Sequence, residues 1–349
     1  MARRAVRVDD FPNRDLLDDI AFGIHKAAIL KTALELEIFT RVAEGKRTMS
    51  ALARSASLDE RHARALLNAL CFMGLLVKQQ NEYQLTPTAE AFLVKGKLTY
   101  CGGAWLNDFA WDARGDIARA LRANKPILAS PLTDNNETTR AERAAATLAD
   151  WEHQIEWANE AWNKIDLARE GKKSLRVLAL GCESGIFAFA LAKQFASARV
   201  TAMDRAMVLA YARQLAEKMN VLAQITFQAR DIFDLSDVSE TYDLILIENI
   251  NQFASPEQNI GLFRKAYESL ANDGRIILRT MVADDDLRSE VAIWAVEILL
   301  RSSDGDAFTF AEYRGMLEAA GFSLVTQLKD DWGLITAQKL AAAQTKKLK

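Results

Sequence analysis

Cysteine and histidine are scarce in this chain. Three cysteines (Cys71, Cys101, Cys182) and three histidines (His25, His62, His153) are scattered over 349 residues. They make neither the spacing of a metal site nor the even framework of a disulfide-stapled scaffold. Structural zinc is therefore excluded, no metal is expected, and a reduced, cytoplasmic setting is. Charges interrupt every apolar run before it reaches the length of a membrane-spanning helix, so no membrane partner is expected. The basic start, Met1 to Asp10, lacks the apolar core of a signal peptide. Charge of one sign is missing too: 44 Lys and Arg stand against 47 Asp and Glu. That balance argues against a general nucleic-acid or membrane surface. With 50% of its residues apolar, the chain can build two sizeable cores.

What is there is organised around the stretch from Arg176 to Gly185. Val177, Leu178 and Leu180 read as a buried strand running into a turn with Gly181 and Gly185, where backbone must bend tightly or approach a ligand closely. The segment Ile186 to Phe195 is apolar nearly all round and predicts a helix packed on a sheet. Strand, glycine loop and helix N-terminus form a nucleotide-type cradle. Nineteen residues past Gly185 a second strand, Val200 to Asp204, ends in a carboxylate. An acid there can accept hydrogen bonds from ribose hydroxyls. A strand-turn-helix with a surface Asp is the plainer alternative.

Residues 1–15 read as an extension. Within 16–100, a helical pattern from Leu16 to about Thr40 carries a broad apolar face (Ile20, Ile24, Ala27, Ala28, Leu34, Ile38), too wide for one small domain to cover. Thr48 predicts the cap of a helix from Met49 to Ser55, and Ser57-Leu58-Asp59-Glu60 reads as a capping box opening a second, with Leu66, Leu70 and Met73 on one face. Gly74 closes it. Leu75 to Lys78 and Tyr83 to Thr86 read as a hairpin, and Pro87 starts a helix capped by Thr86. Two helices and a hairpin make a winged helix. Its second helix offers Arg61, His62 and Arg64 but is otherwise apolar, which suits dimerisation better than a DNA groove.

Residues 101–168 form helical patterns broken by Pro126 and Pro131, with loop-like Leu132 to Thr139. They hold Trp105, Trp111, Trp151, Trp157 and Trp162. Trp151 and Trp162 are eleven residues apart and share a helical face. Core stripe and wall for a flat apolar substrate are equally open readings. From 169 to 340, strands (Leu175–Gly181, Val200–Asp204, Ile225–Ala229, Leu244–Glu248, Arg275–Met281) alternate with helices, which demands a parallel sheet. The last two strands, Leu324–Leu328 and Gly333–Gln338, are too closely joined to be anything but antiparallel. Residues 341–349 are a basic tail.

The chain resembles the S-adenosylmethionine-dependent O-methyltransferases that carry an N-terminal winged-helix dimerisation domain, a family of plant phenolic, acetylserotonin and bacterial natural-product enzymes. The likeness is carried by Gly181-x-x-x-Gly185, Asp204, Gln228 to Phe233, Tyr242 to Leu246 and Asn272 to Ile277. Thr309 to Tyr313 and Ala320-Gly321-Phe322 add to it. The resemblance implies an α/β fold, a class I methyltransferase Rossmann-like sheet preceded by the winged-helix domain, and a homodimer through the N-terminal helices. It implies S-adenosyl-L-methionine held by Gly181, Glu183, Gly185, Asp204 (ribose), Arg205, Asp231 (adenine amino group), Ile232 and Phe233 (adenine face) and Glu248. A substrate pocket would involve Trp105, Trp157, Trp162, Asn249 and Phe253.

Three positions depart from the family pattern. An acid is usual at Ala179 and a glycine at Glu183, and a histidine base often stands at Gln252. Glu183 could repel the cofactor carboxylate, by ~4 kcal/mol at about 4 Å and an effective dielectric of 20, or could hold its ammonium group instead. Gln252 cannot take a proton at neutral pH but can orient a substrate by hydrogen bonding. The expected activity is methyl transfer to a small aromatic or polyketide-like molecule by positioning and desolvation. The alternatives are a non-methylating enzyme on the same fold (pericyclase, hydroxylase or decarboxylase type) and a non-catalytic dimeric partner or regulator.

Overall fold

The computed structural model describes residues 14–97, 99–103, 106, 114–132, 151–165, 174–233, 241–284, 290–328 and 333–341, with the backbone alone at Glu152 and His153. The expectations on Trp105 and Trp111, on most of the loop from Leu132 to Thr139, and on the termini lie outside these residues. The chain divides into two compact units, 1–109 and 110–349. The helices described between 114 and 165 fall within the second unit.

The first unit opens with α1 (Asp15–Glu35), α2 (Ile38–Ala43), α3 (Met49–Ser55) and α4 (Glu60–Phe72). The continuous helix expected to Thr40 is broken, because Glu37 adopts a left-handed conformation (φ 52°). Thr48 caps α3 through the Ala51 amide. The capping box at Ser57 does not form: Ser57 is left-handed (φ 55°), and Asp59 caps α4 through the Arg61 amide. An N-cap needs extended backbone, and Asp59 has it. The buried face of α4 is Ala63, Leu67 and Leu70, with Leu66 and Met73 at its margin. Strands β1 (Leu76–Gln79) and β2 (Glu82–Leu85) form the antiparallel wing, and α5 (Pro87–Phe92) follows, capped by Thr86. Leu34, Ile38, Phe39, Leu52, Leu67, Leu70 and Tyr83 fill its core. The first half of α1 does not join in: Leu16, Leu17, Ile20, Phe22 and Ile24 stay 60–71% exposed.

The second unit carries helices α6 (Ile117–Ala123) and α7 (Trp151–Ile165), then a seven-stranded sheet. Its strands are β3 (Leu175–Leu180), β4 (Ala198–Asp204), β5 (Ile225–Ala229), β6 (Tyr242–Glu248), β7 (Leu270–Arg279), β8 (Ser323–Leu328) and β9 (Leu334–Gln338). Helices α8 (Ile186–Gln194), α9 (Ala206–Lys218), α10 (Pro256–Ser269), α11 (Val291–Arg301) and α12 (Phe310–Ala319) connect them. The order is β5-β4-β3-β6-β7-β9-β8, parallel except for β9, which runs against both its neighbours. All seven strands fall where expected. The largest difference is β7, which begins at Leu270 rather than Arg275.

Strand side chains alternate between two cores, as a period of two requires. Val177, Ala179, Val200, Ala202, Leu244, Leu246 and Ile277 face α7, α8 and α9. Leu178, Leu180, Met203, Ile245, Ile247, Ile276 and Leu278 face α10 and α12. Strand order reverses between β3 and β6, so the ligand crevice of such a sheet falls outside the carboxyl ends of those two strands.

Candidate functional site

The carboxyl ends of β3, β4, β6 and β7 finish in Leu180-Gly181, Asp204, Glu248 and Arg279. Continuing the alternation, Asp204 follows Val200 and Ala202, Glu248 follows Leu244 and Leu246, and Arg279 follows Ile277. All three therefore belong to the face that carries Ala179 and packs on α7 and α8.

The loop after β3 is built by backbone. Gly181 (φ 64°), Glu183 (φ 48°) and Gly185 (φ 80°) are all left-handed. Only glycine takes this region without cost, so the Glu183 backbone is strained by ~1–2 kcal/mol. A Cβ on Gly185 would lie 2.3 Å from the Phe189 ring, and one on Gly181 would lie 3.0 Å from Ile250 Cγ2. The loop is tied to β4 as well: Gly181 N donates to Met203 O (3.0 Å) and Glu183 N to Asp204 Oδ2 (3.0 Å). The other oxygen, Asp204 Oδ1, accepts from Arg205 N (2.8 Å). The second-strand acid, 8% exposed, thus shapes the glycine loop and still has lone pairs for a further donor. The Glu183 side chain is exposed. Cys182 is buried, and desolvation, then Asp204, Glu248 and Glu183, push its thiol well above the ordinary range. It is an inert thiol.

Glu248 is 2% exposed. Its Oε2 lies 3.4 Å from Arg279 Nη1, and its Oε1 has no hydrogen-bond partner among the described residues. Burial raises its pKa to about 8, Arg279 opposing and the carboxylates of Glu183 and Asp204 adding to the rise. The Arg279 guanidinium also lies over the Trp157 ring, 5.0 Å from its centroid.

Around this pair the expected residues divide. Trp157 is half-buried and tilted against Phe187. Trp162 is a correction to the pocket expectation. It is 2% exposed, stacks on Phe187 at 4.3 Å and donates its indole N–H to Phe187 O. A ring so enclosed packs the core and offers no face to a ligand. Asp231 is exposed and accepts from Phe233 N (2.9 Å), while Ile232 and Phe233 are half-buried beyond β5. Arg205 hydrogen-bonds Leu132 O.

Gln252 lies in a short 3-10 turn, Asn251–Phe253, after β6. Its Nε2 donates to Asn249 O (3.0 Å) and its Oε1 accepts from Thr280 Oγ1 (3.1 Å), itself 2.8 Å from the Tyr313 hydroxyl. Burial pushes the Tyr313 phenol up. The Asn251 side chain bonds to Asn259, which also holds Asn251 O and Ala254 O. The turn is fixed, with Asn249 and Phe253 half-buried on either side of Gln252.

Sequence reasoning missed Arg279 and Trp157 as partners at Glu248. The available signal was a charged residue closing each of two adjacent apolar strands. No cluster of three or more metal-ligating side chains occurs among the described residues, and no described helix is long and apolar enough to cross a membrane.

Comparison with known proteins agrees with this geometry. The O-methyltransferase dimerisation domain family matches residues 18–95, and a methyltransferase domain family matches residues 171–321. A 3-hydroxy-5-methyl-1-naphthoate 3-O-methyltransferase of Streptomyces sahachiroi is 24% identical, over 90% of this chain and 91% of the relative. A tetracenomycin polyketide synthesis 8-O-methyl transferase of Streptomyces glaucescens is 25% identical, over 87% and 90%. The fold matches that of human N-acetylserotonin methyltransferase, solved in complex with SAM, with a TM-score of 0.80 at 20% identity, covering 96% of this chain and 100% of that one. The chain thus combines a dimerisation domain of the O-methyltransferase type, residues 18–95, with a methyltransferase domain, residues 171–321.

Proposed function

We propose that this chain is a homodimeric methyltransferase that uses S-adenosylmethionine to methylate a small aromatic or polyketide-like molecule. The observation that carries the reading is the glycine loop bound to the Asp204 carboxylate beside the strand-order reversal. The residues fit the cofactor. Asp204 retains acceptor capacity for ribose hydroxyls, Asp231 is exposed for an amino group, and Ile232 and Phe233 offer apolar surface to a ring. The orphaned Glu248 oxygen fits a cationic ligand.

When bound, S-adenosylmethionine supplies a methyl group activated on a sulfonium. The protein's part is to bind, orient and exclude water, and on this reading the half-buried Trp157, Asn249 and Phe253 serve the acceptor side. Gln252 has both ends of its amide engaged and can orient through its remaining N–H, but it is no base. The acceptor on this reading is an ionised phenol, an enolate or an amine, which needs little help with its proton. The homodimer rests on the matched dimerisation domain and on the exposed apolar half of α1.

The test is incubation with methyl-labelled S-adenosylmethionine and hydroxylated aromatic acids or polyketides, reading label in the product. Label transferred to an acidic acceptor supports the reading. Cofactor binding without transfer to any acceptor favours the non-methylating alternative, for which the engaged Gln252 is the specific observation.

A further inference from the structure

We propose that Glu248, positioned by Arg279, is the residue that binds the α-ammonium group at the amino-acid end of the adenosyl ligand. The inference rests on the reading of the site as an adenosyl pocket and assigns one residue within it.

Placement comes first. Asp204 ends β4, and Asp231 to Phe233 follow β5, so ribose and adenine contacts lie on the β4–β5 side. The other end of the ligand must then lie toward β3 and β6, where strand order reverses. Leu180 pairs with Ile247, so the next residues, Gly181 and Glu248, flank that reversal. Gly181 packs tightly on the Glu248 segment: a Cβ there would lie 3.0 Å from Ile250 Cγ2 and 3.6 Å from the Glu248 carbonyl oxygen.

Chemistry selects the group. A carboxylate this buried is stable in its charged form only with its lone pairs met, and Oε1 has no partner among the described residues. The charged groups that act on it are Arg279 on β7, Glu183 in the loop after β3 and Asp204 at the end of β4. Trp157, on α7, brings no charge. Burial, then Glu183 and Asp204, raise the affinity of Glu248 for positive charge and Arg279 lowers it, so a cationic donor suits the unpartnered oxygen. An ammonium is both cation and donor. Ala179 on the same face cannot do this, and Asp204 serves the loop amides and, on the proposed reading, the ribose.

Arg279 is a positioning residue on this view. Seated over Trp157 and bound to Oε2, it leaves Oε1 for the ligand.

The test compares two ligands that differ at the amino-acid end: S-adenosylhomocysteine, which carries the ammonium, and 5′-methylthioadenosine, which lacks it. Calorimetric titration of Glu248→Gln should show S-adenosylhomocysteine weakened ten- to a hundredfold, with 5′-methylthioadenosine within twofold of the unmodified protein. Arg279→Met should show the same split, less strongly. A ligand-side control needs no variant: the deaminated analogue of S-adenosylhomocysteine should bind the unmodified protein as weakly as the parent binds Glu248→Gln. Equal weakening of both ligands, or no loss for S-adenosylhomocysteine or its deaminated analogue, overturns the assignment. If the unmodified protein binds neither ligand, the adenosyl-pocket reading itself has failed.

Discussion

Glu248 and Arg279 close adjacent parallel strands at paired positions, and their side chains meet at 3.4 Å in the interior. A buried ion pair contributes little stability once desolvation is counted. It does create a local field. With Glu183 and Asp204 nearby, that field favours a proton or an external cation.

The pH dependence of the ligand-free protein follows. Folding raises the Glu248 pKa from 4.5 to about 8, so between those values the folded state binds more protons than the unfolded one. Stability from this group is therefore full below the unfolded pKa and is lost as pH rises through about 8. Glu248→Gln removes the loss. Its melting temperature relative to the unmodified protein should climb between pH 5 and 8, by roughly 2–4 °C per kcal/mol recovered. A constant difference across that range would show that Glu248 does not titrate there.

Glu183 should prove a backbone liability rather than a ligand contact. Its φ of 48° suits glycine. Glu183→Gly relieves ~1–2 kcal/mol of strain and loses about half of that to greater unfolded-state entropy. Denaturant titration should show a gain of ~0.5–1 kcal/mol, and S-adenosylhomocysteine affinity should not fall. Loss of affinity would make Glu183 the ammonium ligand instead of Glu248.

Much of the loop and strand-end geometry was legible in the sequence. Gly181, Gly185 and Asp204 leave traces because a left-handed turn and a strand-end acid demand particular residue types at a fixed spacing. The Glu248–Arg279 pair left only a charge at the end of each of two apolar strands; that the two meet follows from the register of β6 on β7, which cannot be read along the chain. Trp162 could not be told from a pocket wall until its indole N–H was seen bound to Phe187 O. The break at Glu37 carries neither glycine nor proline, so local chemistry gave no warning of it.

Asp204 holds the loop amides and, on the proposed reading, the ribose, and Asp204→Ala should register both. The loop amides of Glu183 and Arg205 lose their acceptor, and any adenosyl ligand loses its ribose contact. We expect ligand binding weaker by ~1–3 kcal/mol, together with a lower melting temperature. An unchanged affinity would contradict the ribose assignment.

Dimerisation should depend on the uncovered half of α1. Ile20 and Ile24 are 66% and 60% exposed, so Ile20→Glu with Ile24→Glu leaves the core of the first unit intact. Light scattering should report a dimer for the unmodified chain at micromolar concentration and a monomer for the double variant. A double variant that stays dimeric would place the interface elsewhere.

The central claim is that the crevice beside Gly181 and Asp204 takes an adenosyl ligand. Isothermal titration of the unmodified protein with S-adenosylhomocysteine tests it without any assumption about the acceptor. The account predicts saturable binding at one ligand per chain, with affinity falling as pH drops below about 8, where Glu248 takes up its proton. Absence of saturable binding at millimolar ligand, in protein shown to be folded, would contradict it.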